Sequence, residues 1–204
     1  PLEADEVSAG GKADCICFSR QILADAHMPN KLTDGEPEEV NVCIRCSGCM
    51  SSPPPDLYAK CSVNPTANYE FLYPPAILPA ARPRKVLVIG AGAAGMTAAV
   101  TAADRGHLVI LAEKSDRMGG IINFADHDFY KERIARWKDN MLRKVEKRRI
   151  DVRLGTPGET LIASESPDAV IAALGSTPVI APIPGIASAI HVLDMYPMPD
   201  EKLG

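Results

Sequence analysis

Lys85-Val-Leu-Val-Ile-Gly90-Ala-Gly92-Ala-Ala-Gly95 is the stretch that decides the fold. Its unbroken apolar run, Val86 to Ile89, is the pattern of a strand buried in a parallel sheet. The glycines that follow have G-x-G-x-x-G spacing. Gly90 permits a tight turn, Gly92 lets a pyrophosphate approach the backbone, and Gly95 allows a helix to lie close to the strand. The N–H groups of a helix start then face the anion. Glycines alone are weak evidence, since a Gly-rich turn in any α/β domain would display them, but here the surroundings agree. An Ala-rich helix is predicted over Ala93 to Arg105, closed by Gly106, and a second strand over His107 to Ala112 ends at Glu113, eighteen residues beyond Gly95. An acid there suits a ribose hydroxyl. With no arginine directly after it, an adenosine ribose lacking a 2′-phosphate is favoured, as in FAD or NAD.

Outward from this βαβ unit, a long charged helix is predicted at about Phe129 to Arg148. Strands follow at Asp151 to Leu154 and at Pro167 to Leu174, the last halted by Gly175. The basic run Arg143 to Arg149 alternates with apolar residues and reads as the solvated face of that helix. On the other side, Tyr73 to Pro83 is proline-rich and reads as a semi-rigid extended linker. Before it, residues 43–61 are loop-like, with Ser51-Ser-Pro-Pro-Pro55 forbidding regular structure. Residues 1 to about 42 hold a short buried strand, Cys15 to Phe18, and a helix near Gln21 to Ala26. Cys15 and Cys17 alternate in that strand and read as core residues. The expected fold is α/β, a partial Rossmann-type domain with a parallel sheet preceded by an irregular cysteine loop. Its divisions are 1–42, 43–83 and 84–204.

Four cysteines, Cys43, Cys46, Cys49 and Cys61, are spaced C-x2-C-x2-C-x11-C. Thiolates are the soft ligands of zinc and of iron-sulfur clusters. Zinc ribbons usually present two separated pairs, whereas three cysteines at intervals of three wrap one face of a cubane and take the fourth ligand from elsewhere. The spacing favours a 4Fe-4S cluster and leaves zinc open. Beside a dinucleotide site, such a centre suggests electron transfer.

The chain has 204 residues, 46% of them apolar, enough for a packed core. Its 22 basic and 26 acidic residues give a net charge of −4 with no strong patch, which argues against nucleic acid as a partner. No run of eighteen apolar residues is present and Pro1 to Glu6 does not read as a signal peptide, so no membrane association and a cytoplasmic location are expected. Six cysteines in such a chain argue against a disulfide scaffold.

Read together, Ala13 to Leu32, Cys43-Ile-Arg-Cys46-Ser-Gly-Cys49, Cys61-Ser-Val-Asn-Pro65, Lys85 to Gly95 and Glu113-Lys-Ser-Asp-Arg-Met-Gly-Gly120 resemble, in that order, the iron-sulfur flavoenzymes of the old yellow enzyme family. These are the 2-enoate and 2,4-dienoyl-CoA reductases, with trimethylamine dehydrogenase as a relative. The resemblance implies a longer enzyme: a TIM barrel binding FMN and substrate, a cluster segment, and an FAD domain with an inserted NAD(P)H domain. Residues 1–42 then correspond to the last βα unit of the barrel, with Ser19 and Arg20 at the FMN phosphate. Cys43, Cys46, Cys49 and Cys61 match the cluster ligands. Gly90, Gly92, Ala93, Ala94, Gly95, Glu113, Lys114, Gly119, Gly120 and Gly175 stand at FAD contacts. Electrons in that family pass from NAD(P)H to FAD, to the cluster, to FMN, and to an activated carbon-carbon double bond.

Three positions depart from the family pattern. Ser19 stands for glycine, Ile121 for glutamine and Leu174 for threonine. By the resemblance, most of the barrel with its catalytic residue would precede Pro1, and the NAD(P)H segment would follow Gly204. No residue here is therefore expected to perform substrate chemistry; His107 opens a buried strand and His127 sits in a polar turn. The expected partner is the remainder of the enzyme or a barrel subunit, with a homo-oligomer for the complete enzyme. An amine dehydrogenase is the enzymatic alternative, and a zinc-stabilised nucleotide-binding module the alternative of another class.

Overall fold

A computed structural model describes residues 2–51, 59–72, 78–126 and 131–195. It divides into two compact units, Pro1–Tyr73 and Pro74–Gly204.

The first unit contains α1 (Leu2–Ala9), α2 (Arg20–Ala24) and α3 (Met28–Thr33), then a chain held mostly by side-chain hydrogen bonds. Asp25 is its knot. Although only 5% exposed, its carboxylate is satisfied by the N–H of His27 (3.1 Å), the N–H of Asn41 (2.8 Å) and Lys31 Nζ (2.7 Å). A buried charge persists only when paired and hydrogen-bonded in this way. Ala24, Met28, Val40 and Ala67 supply the apolar packing.

One expectation fails here. Residues 15–18 form no strand, Cys15 and Cys17 are exposed, and Phe18 is 38% exposed. A strand needs a ladder partner and an apolar layer to cover it, and the described residues offer this segment neither. The helix expected next is present as α2, which begins one residue before the predicted start.

The second unit is a four-stranded parallel sheet in the order β3-β2-β1-β4. Its elements are β1 (Lys85–Ile89), α4 (Ala93–Asp104), β2 (Leu108–Ala112), α5 (Ile122–Ala125), α6 (Glu132–Lys147), β3 (Asp151–Arg153), α7 (Leu161–Glu165), β4 (Ala169–Ala172) and α8 (Val192–Met195). The register pairs Leu87 with Ile110 and Ile89 with Ala112, so these four share one face, where Leu161 covers them. Val86, Val88, Val109 and Leu111 are buried on the other. Helix α4 packs on β1 and β2, and α6 packs on α4 through a face that buries Trp137, Met141 and Val145. The basic run is less solvated than its pattern implies: Lys144 is buried and Arg148 Nε meets Asp104 Oδ1 at 2.5 Å.

Residues 78–83 have no regular structure, and Ala80 N–H donates to the Arg105 carbonyl at the end of α4 (2.8 Å). The rest of the expected linker, the Ser52 to Pro55 run and the turn at His127 lie outside the described residues. His107 has a structural task, its Nδ1 accepting the Arg84 N–H (3.1 Å).

Candidate functional site

In parallel sheets ligands bind beyond the carboxyl ends of the strands, and there the second unit gathers its glycines. After β1, Gly90 adopts φ +99°, and a Cβ on it would lie 2.3 Å from the Ala173 carbonyl oxygen. At Gly95 the added Cβ would stand 1.7 Å from the Gly90 carbonyl oxygen, so the helix reaches the strand only without a side chain. Gly92 is different: a Cβ there meets nothing within 4 Å. The space above Gly92 is open, and the exposed Ala93 and Ala94 begin α4 beside it. First-turn N–H groups have no intrahelical acceptor, and the N-cap glycine offers no side chain to satisfy them.

Glu113 closes β2 from the inside. Its Oε2 accepts the Ala91 N–H (2.7 Å), and its Oε1 accepts both the N–H and the hydroxyl of Ser115 (2.9 Å each). Burial pushes this carboxyl up, but the Ala91 and Ser115 hydrogen bonds and the nearby Lys114 charge outweigh it and hold the group below its ordinary value of 4.5. The acid therefore stays ionised and anchors the glycine loop, with lone-pair capacity left for one further donor.

Gly119 and Gly120 fold back over the same loop. The Gly119 N–H donates to the Ala91 carbonyl (2.8 Å), and a Cβ on Gly120 would lie 3.1 Å from Gly92 Cα. Asn123 fixes this return. Its Nδ2 donates to the Met118 carbonyl (3.0 Å), Lys138 Nζ donates to its Oδ1 (3.2 Å), and Lys138 is itself paired with Asp126. Gly175 lies just beyond β4 with φ +71°, after Ala173, whose N–H donates to the Ile89 carbonyl (2.8 Å). Lys114 is exposed at the end of β2. Asn123 and Lys138 escaped the sequence reading, because nothing in their spacing links them to the glycines.

The first unit brings the cysteines together. Cys43, Cys46, Cys49 and Cys61 all line one pocket, with Arg20, Leu23, Ile44, Ser47 and Val63. Two clamps on α2 hold the cysteine-bearing stretches. Gln21 Oε1 accepts the Cys43 N–H (3.0 Å) while its Nε2 donates to the Asn41 carbonyl (2.7 Å). From the other end, Asn64 Nδ2 donates to the Leu23 carbonyl (2.9 Å), and a bridge joins Cys61 to Asn64. Arg45 and Ser47, flanking Cys46, adopt the left-handed φ values of 55° and 59°, a strain that non-glycine residues accept where surrounding structure enforces it. The Ser62 hydroxyl above all, and the Gly48 N–H, hold the Cys46 thiol below its usual range against the effect of burial.

Among the described residues no three His, Cys, Asp or Glu side chains are gathered tightly enough for a single metal ion. Around one zinc at ~2.3 Å, four sulfurs would stand roughly 3.8 Å apart. Arg20 lies in the cysteine pocket and Ser19, beside it, is exposed at the start of α2. No described helix is long and apolar enough to cross a membrane.

A family model described as "FAD binding domain" matches residues 85–126, the stretch from β1 through α5. An NADH oxidase of Thermoanaerobacter brockii is 38% identical over 91% of this chain and 29% of its own length. A cinnamate reductase of Clostridium sporogenes is 33% identical over 87% of this chain and 27% of its own. Among solved structures, a 2-naphthoyl-CoA reductase in complex with 2-naphthoyl-CoA superposes with a TM-score of 0.86 at 34% identity, over 95% of this chain and 30% of that one. Dehydrogenases of N,N-dimethylglycine/sarcosine and of dimethylamine are further relatives. The chain spans between 17% and 30% of the length of these relatives. Along nearly all of its residues, then, this chain is homologous to one part of a family of longer flavin oxidoreductases that includes alkene and cinnamate reductases and amine dehydrogenases, and it belongs to that family.

Proposed function

We propose that this chain is the electron-relay portion of a cytoplasmic NAD(P)H-dependent oxidoreductase that reduces activated carbon-carbon double bonds of enoate or dienoyl-CoA type. The observation that carries it is the convergence of Cys43, Cys46, Cys49 and Cys61 on one pocket, in a chain that also builds an open glycine cradle for FAD. Bound FAD supplies hydride acceptance and single-electron release, and a 4Fe-4S cluster supplies a one-electron station.

The residues fit both groups. Gly92 leaves the approach to the backbone clear, the Ala93 and Ala94 N–H groups can take a pyrophosphate, and Gly119 and Gly120 close the cradle opposite. Glu113 retains capacity to accept a ribose hydroxyl. Three cysteines at intervals of three with a fourth from further along the chain suit a polynuclear cluster better than one zinc. Arg20 offsets the negative charge that four thiolates bring. If Ser19 and Arg20 also meet the phosphate of FMN, one helix turn would carry both neighbours of the relay.

The barrel that binds FMN and substrate belongs, in this reading, to the remainder of the enzyme or to a second subunit, and the whole assembles as a homo-oligomer. An amine as substrate is the second reading, favoured by the dehydrogenases among the relatives. Anaerobic reconstitution of the Cys61→Ser variant, followed by FAD titration, tests the assignment. The expected result is loss of bound iron and sulfide with FAD affinity retained. One zinc per native chain, no sulfide and no FAD binding would reject it.

A further inference from the structure

We propose that the Ser62 hydroxyl donates a hydrogen bond to the Cys46 sulfur and so raises the reduction potential of the cluster; the inference rests on the cluster reading above. Ser62 Oγ lies 3.2 Å from Cys46 Sγ. In free thiols either atom can donate, but a metal-bound sulfur is a thiolate and can only accept. Loading the site therefore fixes the direction.

The contact is built rather than incidental. Ser62 follows the fourth ligand, Cys61, directly in the chain, so the bond ties that ligand's loop to the second ligand sixteen residues earlier. Its turn is held by the Cys61–Asn64 bridge and by the Asn64 clamp on Leu23. Its acceptor is held by the left-handed residues on either side, Arg45 and Ser47. Gly48 lies over the pair, its ideal Cβ position 3.5 Å from Ser62 Oγ and 3.6 Å from Cys46 Sγ.

Reduction adds an electron that spreads onto the thiolate sulfurs. A donor to one of them is therefore stronger in the reduced form than in the oxidised form, and the reduced form is favoured. Ser62 touches a ligand rather than substrate, so it is a positioning and tuning residue of the relay.

A redox titration of the loaded chain, followed by visible absorption and by electron paramagnetic resonance of the reduced state, tests this. Ser62→Ala and Ser62→Gly both delete the hydroxyl, and Ser62→Thr keeps it. Both deletions should shift the oxidised-to-reduced ratio at a fixed potential three- to tenfold toward oxidised, at most about 59 mV for one electron, while Ser62→Thr stays near the native value. Deletion variants that bind iron and sulfide in native amounts and titrate at the native potential would overturn the inference, as would a threonine variant that shifts with them. Absence of iron and sulfide from the native chain would instead remove the cluster itself, so the two failures are separable.

Discussion

Gly92 and Gly95 stand three residues apart, the first capping α4 and the second in its first turn, yet the structure places opposite demands on them. At Gly95 a methyl would run into a backbone carbonyl at 1.7 Å, and backbone cannot move aside cheaply. Gly95→Ala should cost about 3 kcal/mol or more, read as a lowered urea midpoint of the second unit. Gly92→Ala meets open space at an ordinary φ of −76°, so stability should fall only by about 1 kcal/mol, the usual loss when alanine replaces a favoured N-cap. Its methyl would occupy the approach to the loop, and FAD affinity, measured by flavin fluorescence, should fall about tenfold. Glu113 carries a pH signature. Its pKa is lower folded than unfolded, so it stabilises the fold above pH 4.5, and that contribution is lost as pH falls through the folded value. Glu113→Gln should thus be less stable than native at neutral pH, with the gap narrowing in acid. A gap that persists undiminished in acid on urea unfolding contradicts this. The roles of Gly90 and Gly95 were legible from spacing because the motif is local. Those of Gln21, Asn64, Ser62 and Asn123 were not, because each acts through hydrogen bonds between residues that spacing does not link.

At the scale of elements, continuous apolar runs located β1, β2 and β4, and α6 was found from its length and charge, with ends within a few residues of the prediction. The failure at Cys15 to Phe18 is instructive: alternation marks a segment able to form a strand, but only a neighbouring strand makes it one. Helix α2 owes its place to polar clamps rather than to apolar area, since only Ala24 of its five residues is buried. Asp25→Ala would remove the carboxylate that accepts from the His27 and Asn41 N–H groups and from Lys31, which keeps the Glu39 carbonyl, and should cost about 2 kcal/mol. The measurement is thermal unfolding of the first unit. Gln21→Ala should weaken iron retention more than global stability, because what it releases is the Cys43 backbone. Iron release to a chelator at neutral pH checks it.

At the scale of the whole molecule, the two units bring different chemistry to one chain, cysteines in residues 1–73 and the glycine cradle in residues 74–204. The parallel pairing followed from the alternation of strands and helices; the sheet order and the internal knot of the first unit did not, because neither strand neighbours nor polar networks leave a periodic trace. Saturating FAD at a hundred times its dissociation constant should stabilise the second unit by about 2.7 kcal/mol. Amides of β1 and β2 would then exchange more slowly. The central claim is that these two sites make a relay, and it turns on what the four cysteines hold. An anaerobic visible spectrum before and after dithionite, with iron, sulfide and zinc assayed on the same sample, addresses that directly. Broad absorption that bleaches on reduction, with four irons and four sulfides per chain, is the expected result; a colourless chain holding one zinc and no sulfide would contradict the relay.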